Sequence, residues 1–145
     1  MQDLGPVIKE ITDIGMSTEL TVTGMSMYPL LRNRLDRVRL SKADDIKKYD
    51  IVLYRRENGA YILHRILKTG KDYVCCAGDN ETELEKGVSI EKIIAKVTHI
   101  KRGTRDIDIN SFIYRSYVRL WAFIFPLRRI VIYAYIKIRR EFAEK

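Results

Sequence analysis

The first stretch of the chain places apolar residues with the period of a helix. Between Asp3 and Gly15, the apolar positions recur every three or four residues: Leu4, Val7, Ile8, Ile11 and Ile14. This spacing predicts a short amphipathic helix in segment 1–18, with Asp3 as a candidate N-cap and Gly15 as a candidate end. Charged residues interrupt any longer apolar run, so we expect the apolar stripe to pack on a core rather than to enter a membrane.

From Glu19 to about Gly103 the pattern changes to the period of two that is typical of strands. The candidate strands are Leu20–Val22, Leu35–Leu40, Ile51–Tyr54, Ala60–Leu67, Tyr73–Ala77 and Ile93–Ile100. Asn58-Gly59 accepts the positive φ values of a tight hairpin, and Glu81 to Gly87 is interpreted as an acidic loop. Short antiparallel strands with few long helices indicate a small, mainly β domain over residues 19–104.

The remaining segment, residues 105–145, is basic. Residues 101–145 carry 11 Lys and Arg against 4 Asp and Glu, whereas the rest of the chain carries 16 against 15. A membrane-spanning helix needs about 20 mainly apolar residues, and Arg128 and Arg129 would cost roughly 5–7 kcal/mol on insertion scales. The segment therefore predicts a basic amphipathic helical tail on the surface of an anionic membrane. A helix pair packed on the β domain and a strand over Ile130–Ile138 are the alternatives.

Composition excludes several classes of protein. At 145 residues the chain is one domain with appendages, and an apolar content of 46% argues against disorder. Its two cysteines, Cys75 and Cys76, are neighbours on a predicted strand and point to opposite faces, so no disulfide is expected between them. No residues have the spacing of metal ligands, and neither a metal nor a cofactor is expected. From the first residues of the chain, no secretory segment is expected.

One stretch carries a candidate nucleophile. The sequence LTVTGMSMYPLL over Leu20–Leu31 passes from strand-like alternation into Gly24, and then presents Ser26 before Pro29. Gly24 permits a backbone conformation that a side chain would disfavour, and Pro29 fixes φ beyond the serine. A turn serine is one interpretation. A nucleophile is the other, and it needs a base within hydrogen-bond distance, for which His64 on a predicted hairpin arm is the candidate.

Four motifs occur in the order seen in a known enzyme family. They are GMSMYPLL (24–31), YDIVLY (49–54), LHRI (63–66) and AGDN (77–80). Over roughly Thr21 to Gly103 they resemble the motifs of the type I signal peptidases and their relatives, the self-cleaving SOS-type repressors. The resemblance implies a small antiparallel β domain of the signal-peptidase and repressor type, with Ser26 as nucleophile and His64 as general base. A histidine base matches the variant of archaeal and endoplasmic-reticulum enzymes, whereas bacterial relatives typically carry lysine.

The resemblance also implies further site residues. Asp79 in the last motif is expected to fix the tautomer of His64, with Glu83 and Glu85 as alternative acids a few residues later. The residues around the nucleophile are expected to bind substrate: Met25, Met27 and Pro29.

Two positions depart from the family's pattern. Gly24 stands where many signal peptidases have a Ser or Thr that helps to hold the oxyanion, which leaves the Ser26 amide as a donor; the repressor relatives also carry glycine there. Tyr49 stands where the strand motif usually has glycine. Arg65, which follows the base, fits an ion pair as well as a catalytic role, and His99 is expected to be a structural histidine.

The sequence thus predicts a serine endopeptidase that cleaves a signal or leader peptide, bound extended beside a strand edge with small residues before the cut. The expected partners are this peptide and an anionic membrane, without specific nucleic acid, and the catalytic domain is expected on the cytoplasmic face. One alternative is a self-cleaving regulator, for which segment 1–18 is too short to hold a helix-turn-helix. Another is a catalytically inactive module of the same fold that binds lipid or nucleic acid.

Overall fold

A computed structural model describes residues 3–143, with the side chains of Ile132 and Ile136 left out. The ends of the predicted segments 1–18 and 105–145, residues 1–2 and 144–145, lie outside the described residues. The described chain is mainly antiparallel β sheet with a few helices. The mainly β class predicted from the strand pattern is confirmed.

The N-terminal helix, α1 (Leu4–Asp13), lies where the sequence predicted. The Asp3 carboxylate accepts a hydrogen bond from the Gly5 N–H at 3.3 Å, which satisfies one of the free donors at the helix start. Gly15 follows the helix with a φ of +84°, which glycine adopts without steric cost. Of the large apolar residues of the stripe only Ile8 is buried, so the stripe packs on the core over a smaller area than expected.

Eight antiparallel strands form one sheet in the described residues. They are β1 (Thr18–Thr21), β2 (Arg37–Ser41), β3 (Ile51–Arg55), β4 (Tyr61–Thr69), β5 (Tyr73–Ala77), β6 (Glu85–Ser89), β7 (Ile93–Arg102) and β8 (Arg105–Asp108). Their order is β1-β2-β7-β3-β4-β5-β6, and β8 pairs with β7. Lys96 of β7 pairs with both β2 and β3, and His99 with both β2 and β8. β3 and β8 therefore share the edge of β7 that lies opposite β2.

Two strands lie where the sequence predicted none. β6 takes residues from the predicted acidic loop Glu81–Gly87, and β8 extends the sheet beyond the predicted boundary at residue 104. Both strands are short and mainly polar, so no apolar alternation marks them. They are strands because β5 and β7 pair with them, and strand formation depends on such neighbours more than on local preference.

Two helices follow the sheet, α2 (Phe112–Phe123) and α3 (Phe125–Ala143), so the strand alternative for the tail is wrong. Ser111 caps α2 by accepting a hydrogen bond from the Tyr114 N–H at 3.3 Å. α2 packs on the sheet through the buried Tyr114 and Val118, whereas α3 is exposed over most of its described length. None of the helices within residues 3–143 combines the length and the apolar character that crossing a bilayer requires.

Apolar side chains pack on both faces of the sheet. On β3, Ile51 and Leu53 belong to one buried cluster, and Val52 belongs to the other, because successive strand residues point to opposite faces. α1 and α2 cover the first cluster. His64 on β4 pairs with Val52, and Arg65 pairs with Ile51. The two neighbouring side chains therefore project from opposite faces of the sheet.

Candidate active site

The candidate nucleophile lies in the turn between β1 and β2. Gly24 in this turn has a φ of +92°, so the special backbone conformation predicted for it is confirmed. Its N–H donates to Asn33 Oδ1 at 2.9 Å. Ser26 follows and is partly exposed at the edge of a groove.

The loop after β5, which carries the AGDN motif, holds the backbone of this turn. Asn80 donates from its N–H to the Ser26 carbonyl at 2.8 Å and from Nδ2 to the Met25 carbonyl at 3.2 Å. A Cβ on Gly78 would overlap the Ser26 carbonyl, so glycine is needed for this close approach. The motif therefore fixes the position of the Ser26 backbone.

Ser26 and His64 line one groove of about 550 Å³. Its walls are mainly apolar and include Ile8, Leu20, Met27, Leu53, Tyr61 and Leu63. Within residues 3–143, the polar contacts of the His64 ring are with Tyr54 and Glu81, not with Ser26. In enzymes without substrate, the bond between nucleophile and base is often long and tightens on binding.

Each ring nitrogen of His64 faces an oxygen atom. Tyr54 Oη lies 3.4 Å from Nδ1, and Glu81 Oε1 lies 3.5 Å from Nε2. The side chain of His64 is 3% exposed. Burial lowers the pKa of His64 below its usual value, and the Glu81 carboxylate opposes this effect. The imidazole is therefore mainly neutral at pH 7, as a general base must be.

Tyr54 connects His64 to an acid. Its hydroxyl donates to Glu85 Oε2 at 2.5 Å. Arg56 donates to the same carboxylate, from Nε to Oε1 at 3.0 Å and from Nη2 to Oε2 at 2.7 Å. These Arg56 hydrogen bonds hold the pKa of Glu85 below its usual range, and burial, with the Glu85 carboxylate, raises the pKa of Tyr54. At neutral pH the pair is a phenol that donates to a carboxylate ion.

Asp79 lies against Arg65 instead of His64. Its carboxylate accepts from Arg65 Nε at 2.8 Å and from Nη2 at 2.9 Å, and the two side chains are 2% and 1% exposed. Arg65 Nη1 also donates to the Tyr49 carbonyl and to the Tyr114 hydroxyl. The orienting role expected of Asp79 is not what this geometry supports, because Asp79 binds on the face of β4 opposite to His64. The ion pair expected as one role of Arg65 is present, and it is buried.

The other predicted site residues are divided between the groove and its surroundings. Of the three residues expected to bind substrate, only Met27 lines the groove. Met25 is exposed, and Pro29 lines a separate cavity of about 380 Å³ beside α2 and α3. The chain reverses here, with the Tyr28 N–H donating to the Met25 carbonyl at 3.1 Å, so Met25 and Pro29 do not line the groove with Met27. Substrate binding by these two residues stays a prediction. Of the alternative acids, Glu83 is exposed, and Glu85 reaches His64 through Tyr54.

The helical tail contacts the loop that carries Asp79. Trp121 Nε1 and Arg128 Nη1 each donate to the Asp79 carbonyl at 2.9 Å, and Arg128 Nη2 donates to the Trp121 carbonyl at 2.6 Å. Arg128 is 6% exposed, and its guanidinium lies 4.4 Å from the centroid of the Trp121 ring. Arg128 was expected among the surface cations of the tail. It is buried because α3 begins at Phe125, which brings the first turn of α3 against α2 and this loop.

The two remaining positions of interest are Tyr49 and His99. Tyr49 has a φ of +79°, a backbone conformation that glycine favours. Its N–H donates to the Ile66 carbonyl at 2.7 Å, and its own carbonyl accepts from Arg65. His99 lies on β7 with Nδ1 3.3 Å from Thr98 Oγ1, and it is not among the groove residues.

Sequence reasoning missed three polar residues near His64: Tyr54, Arg56 and Glu81. The sequence does contain a signal for Tyr54. The Asn58-Gly59 hairpin pairs Val52 with His64. Tyr54 is two residues from Val52 and therefore lies on the same face of the sheet as Val52 and His64. Arg56 and Glu81 lie outside the strands, where no period indicates the direction of a side chain.

Within the described part of the chain, no three metal-ligating side chains converge, and both cysteines are free and buried. No family model matches the chain, and no match was found among curated proteins. The candidate function therefore rests on the geometry of the site.

Proposed function

We propose that the protein is a serine endopeptidase similar to the type I signal peptidases, with Ser26 as nucleophile and His64 as general base. The observation that carries the proposal is that one groove holds both a serine on a glycine turn and a buried histidine of lowered pKa. The antiparallel sheet with the serine turn directly after its edge strand β1 supports a domain of the signal-peptidase and repressor type.

The proposed reaction passes through an acyl-enzyme. Ser26 Oγ bonds to the carbonyl carbon of the substrate while its proton moves to His64 Nε2. The C–N bond then breaks, and Nε2 gives this proton to the leaving amine. Water attacks the ester, loses its proton to Nε2 and releases the new carboxyl terminus, after which the proton returns to Ser26 Oγ. The Ser26 amide is the proposed oxyanion donor.

The proposed substrate is the signal or leader segment of another polypeptide. β1 pairs only with β2 among the described strands, so its outer edge offers free backbone groups to an extended peptide. The mainly apolar groove beside this edge suits the apolar residues of a leader. The resemblance adds a preference for small residues before the cut.

The proposed location is the surface of an anionic membrane, on its cytoplasmic side. Exposed apolar residues follow one another along α3: Leu127, Ile130, Val131, Tyr133, Tyr135, Ile138 and Phe142. Exposed basic residues alternate with them: Arg129, Lys137, Arg139 and Arg140. A helix with both features enters the interface between headgroups and acyl chains, and each basic residue adds about 1 kcal/mol near anionic lipid.

A fluorophosphonate probe for activated serines tests the enzyme in the presence of anionic liposomes. The site variants are Ser26→Ala and His64→Ala, and the matched controls are Ser17→Ala and His99→Gln, outside the groove. We expect the wild type and both controls to be labelled, and both site variants to lose about 10³-fold or more in labelling rate. A mixed peptide library read by mass spectrometry then reports the cleavage positions.

Two results would overturn the peptidase proposal in different ways. A wild type that neither reacts with the probe nor cleaves any peptide, with liposomes present, would favour an inactive binding module. Cleavage of its own chain alone, blocked by Ser26→Ala, would favour a self-cleaving regulator.

Liposome flotation tests the membrane location separately. Reversal of two tail charges, Arg139→Glu with Arg140→Glu, removes at least about 2 kcal/mol of attraction, which is about a 30-fold loss of affinity. The matched control reverses two exposed lysines outside the tail, Lys68 and Lys71, and should float like the wild type. Equal losses in both variants, or a gel shift with nucleic acid in the absence of flotation, would contradict the membrane role.

A further inference from the structure

We infer that Tyr54 and Glu85 are positioning residues that hold His64 as the tautomer protonated on Nδ1, which leaves Nε2 as the base for Ser26. The catalytic meaning of this inference rests on the proposed function. The tautomer itself is a property of the folded protein and can be measured without a substrate.

The Tyr54 hydroxyl lies between the Glu85 carboxylate and the His64 ring and has only one proton to donate. Tyr54 has one hydroxyl proton, and its oxygen lies 2.5 Å from Glu85 Oε2 but 3.4 Å from His64 Nδ1. A carboxylate ion only accepts hydrogen bonds, so the single proton of Tyr54 is used toward Glu85. The Tyr54 oxygen then offers only lone pairs to the ring, and Nδ1 must supply the hydrogen if the two are to bond.

Arg56 keeps the Glu85 carboxylate in its ionised form. Arg56 donates three hydrogen bonds to this carboxylate, at 3.0, 3.2 and 2.7 Å, and the side chain of Glu85 is 29% exposed. The pKa of Glu85 is lowered by these bonds, so the group is an acceptor throughout the neutral range. Arg56 therefore keeps the direction of the Tyr54 hydrogen bond.

Tyr54 and His64 are held in place by two paired, buried strands. Tyr54 is 1% exposed and lies on β3, which pairs with β4 so that Val52 faces His64. The two rings meet edge to face, with centroids 6.3 Å apart and planes at 70°. Because both rings project from paired, buried strands, the Tyr54 oxygen is held in line with one nitrogen of the imidazole.

The opposite tautomer would disable the base. With the proton on Nε2, the ring would donate to Glu81 Oε1, 3.5 Å away, and Nε2 would have no lone pair for the Ser26 proton. With the ring protonated on Nδ1, Nε2 has a lone pair and accepts the Ser26 proton. The resulting imidazolium has a hydrogen-bond acceptor at each nitrogen, Tyr54 at Nδ1 and Glu81 at Nε2.

The charged groups around His64 set the direction of the pH effects. Glu81, Glu85 and Asp79 raise the pKa of His64, whereas burial, the largest influence, and Arg56 lower it. Tyr54→Phe removes the acceptor of the Nδ1–H, and Glu85→Gln removes one of the negative charges. Both changes destabilise the imidazolium, so in both variants the acid limb of the activity profile should move to lower pH.

Long-range ¹H–¹⁵N spectra of histidine-labelled protein test the inference, with His99→Gln used to assign the His64 signals. In the wild type above the His64 pKa, we expect Nδ1 to be protonated. Tyr54→Phe should shift the ring toward the Nε2-protonated form. It should also lower kcat by about 10- to 100-fold with little change in KM, by analogy with the loss found when a hydrogen-bond partner that orients a metal-bound imidazole is removed. Glu85→Gln should change both readouts in the same direction.

The matched controls are Tyr73→Phe, an exposed tyrosine on β5, and Glu83→Gln, an exposed acid near Glu85. Both should retain the wild-type tautomer, kcat and pH profile. Circular dichroism identifies a variant that fails to fold. If Tyr54→Phe fails to fold, Glu85→Gln alone tests the inference.

The outcomes separate this inference from the proposed function. An Nε2-protonated ring in the wild type, or an unchanged tautomer in folded Tyr54→Phe and Glu85→Gln, would overturn the inference even if the probe labels Ser26. An Nδ1-protonated ring that responds to both variants, in a protein whose Ser26 never reacts, would support the positioning and overturn only the peptidase function.

Discussion

The buried ion pair between Arg65 and Asp79 gives a prediction that separates a structural from a catalytic role for Asp79. Asp79→Asn keeps the size of the side chain but removes its charge and turns one acceptor into a donor that faces an Arg65 N–H. We expect a large loss of stability with no change in the tautomer of His64. If Asp79 oriented the base instead, the variant would change the tautomer and cost little stability.

The size of this loss of stability follows from the burial and the geometry of the ion pair. Both side chains are almost inaccessible, at 1% and 2%, and joined by two hydrogen bonds of 2.8 and 2.9 Å. Removal of one partner of such a pair leaves a buried charge uncompensated and costs about 3–5 kcal/mol. That is a large part of the 5–15 kcal/mol that typically stabilises a domain.

Urea unfolding at pH 7, followed by circular dichroism, measures the effect. With a slope of about 2 kcal/mol per molar urea, the midpoint should fall by roughly 2 M. The matched control is Asp13→Asn, whose pair with Lys9 is exposed, at 44% and 53%, and should cost about 1 kcal/mol or less. A double variant, Arg65→Met with Asp79→Leu, should be more stable than Asp79→Asn because no charge remains buried.

Two results would refute this reasoning. A loss for Asp79→Asn as small as for Asp13→Asn would mean that the ion pair contributes little to the fold. A full loss of stability together with an altered His64 tautomer would mean that Asp79 also acts on the base.

Three further predictions concern the groove and its supports. Glu81→Gln removes a charge that raises the pKa of His64, so the imidazole stays neutral to lower pH and the acid limb of the kcat profile should move down in pH; a shift upward would contradict the assigned contact. Tyr49→Gly should be more stable to urea than Tyr49→Ala by about 1–2 kcal/mol, because position 49 has positive φ; an alanine variant of equal or higher stability would be inconsistent with that conformation. Gly78→Ala places a methyl group on the Ser26 carbonyl, so it should lower the free energy of unfolding by about 1–3 kcal/mol and also lower kcat. A variant with unchanged kcat and stability would show that the loop can move away.

Local chemistry in the sequence predicted the turn that carries Ser26 and the mainly β class. Gly24 signalled its positive φ because few other residues tolerate it, and Asp3 and Gly15 marked the ends of α1 by capping. The strands with buried faces, such as β3 and β7, were visible because their apolar residues alternate. In each case the cause of the structure lies within a few residues of the signal.

The partners of the polar groups were less predictable. Asp79 was expected at His64 because it follows in the motif order, but the faces of β4 separate it from the imidazole and join it to Arg65. β6 and β8 were missed for a related reason, since they are strands through pairing with neighbours rather than through their own residues. Arg128 resembled a surface cation in the sequence, and the docking of α3 against α2 and the Asp79 loop buries it.

By itself, therefore, the sequence determined the first helix, the strands with buried faces, the glycine turn of Ser26 and the presence of a histidine on a hairpin arm. Only the tertiary structure decided which acids lie near that histidine, with Glu85 reaching it through Tyr54 on one side and Glu81 on the other. The physical reason is that backbone conformation depends on neighbours along the chain, whereas hydrogen-bond partners depend on strand register and loop position. These are set by packing between segments that lie far apart in the sequence.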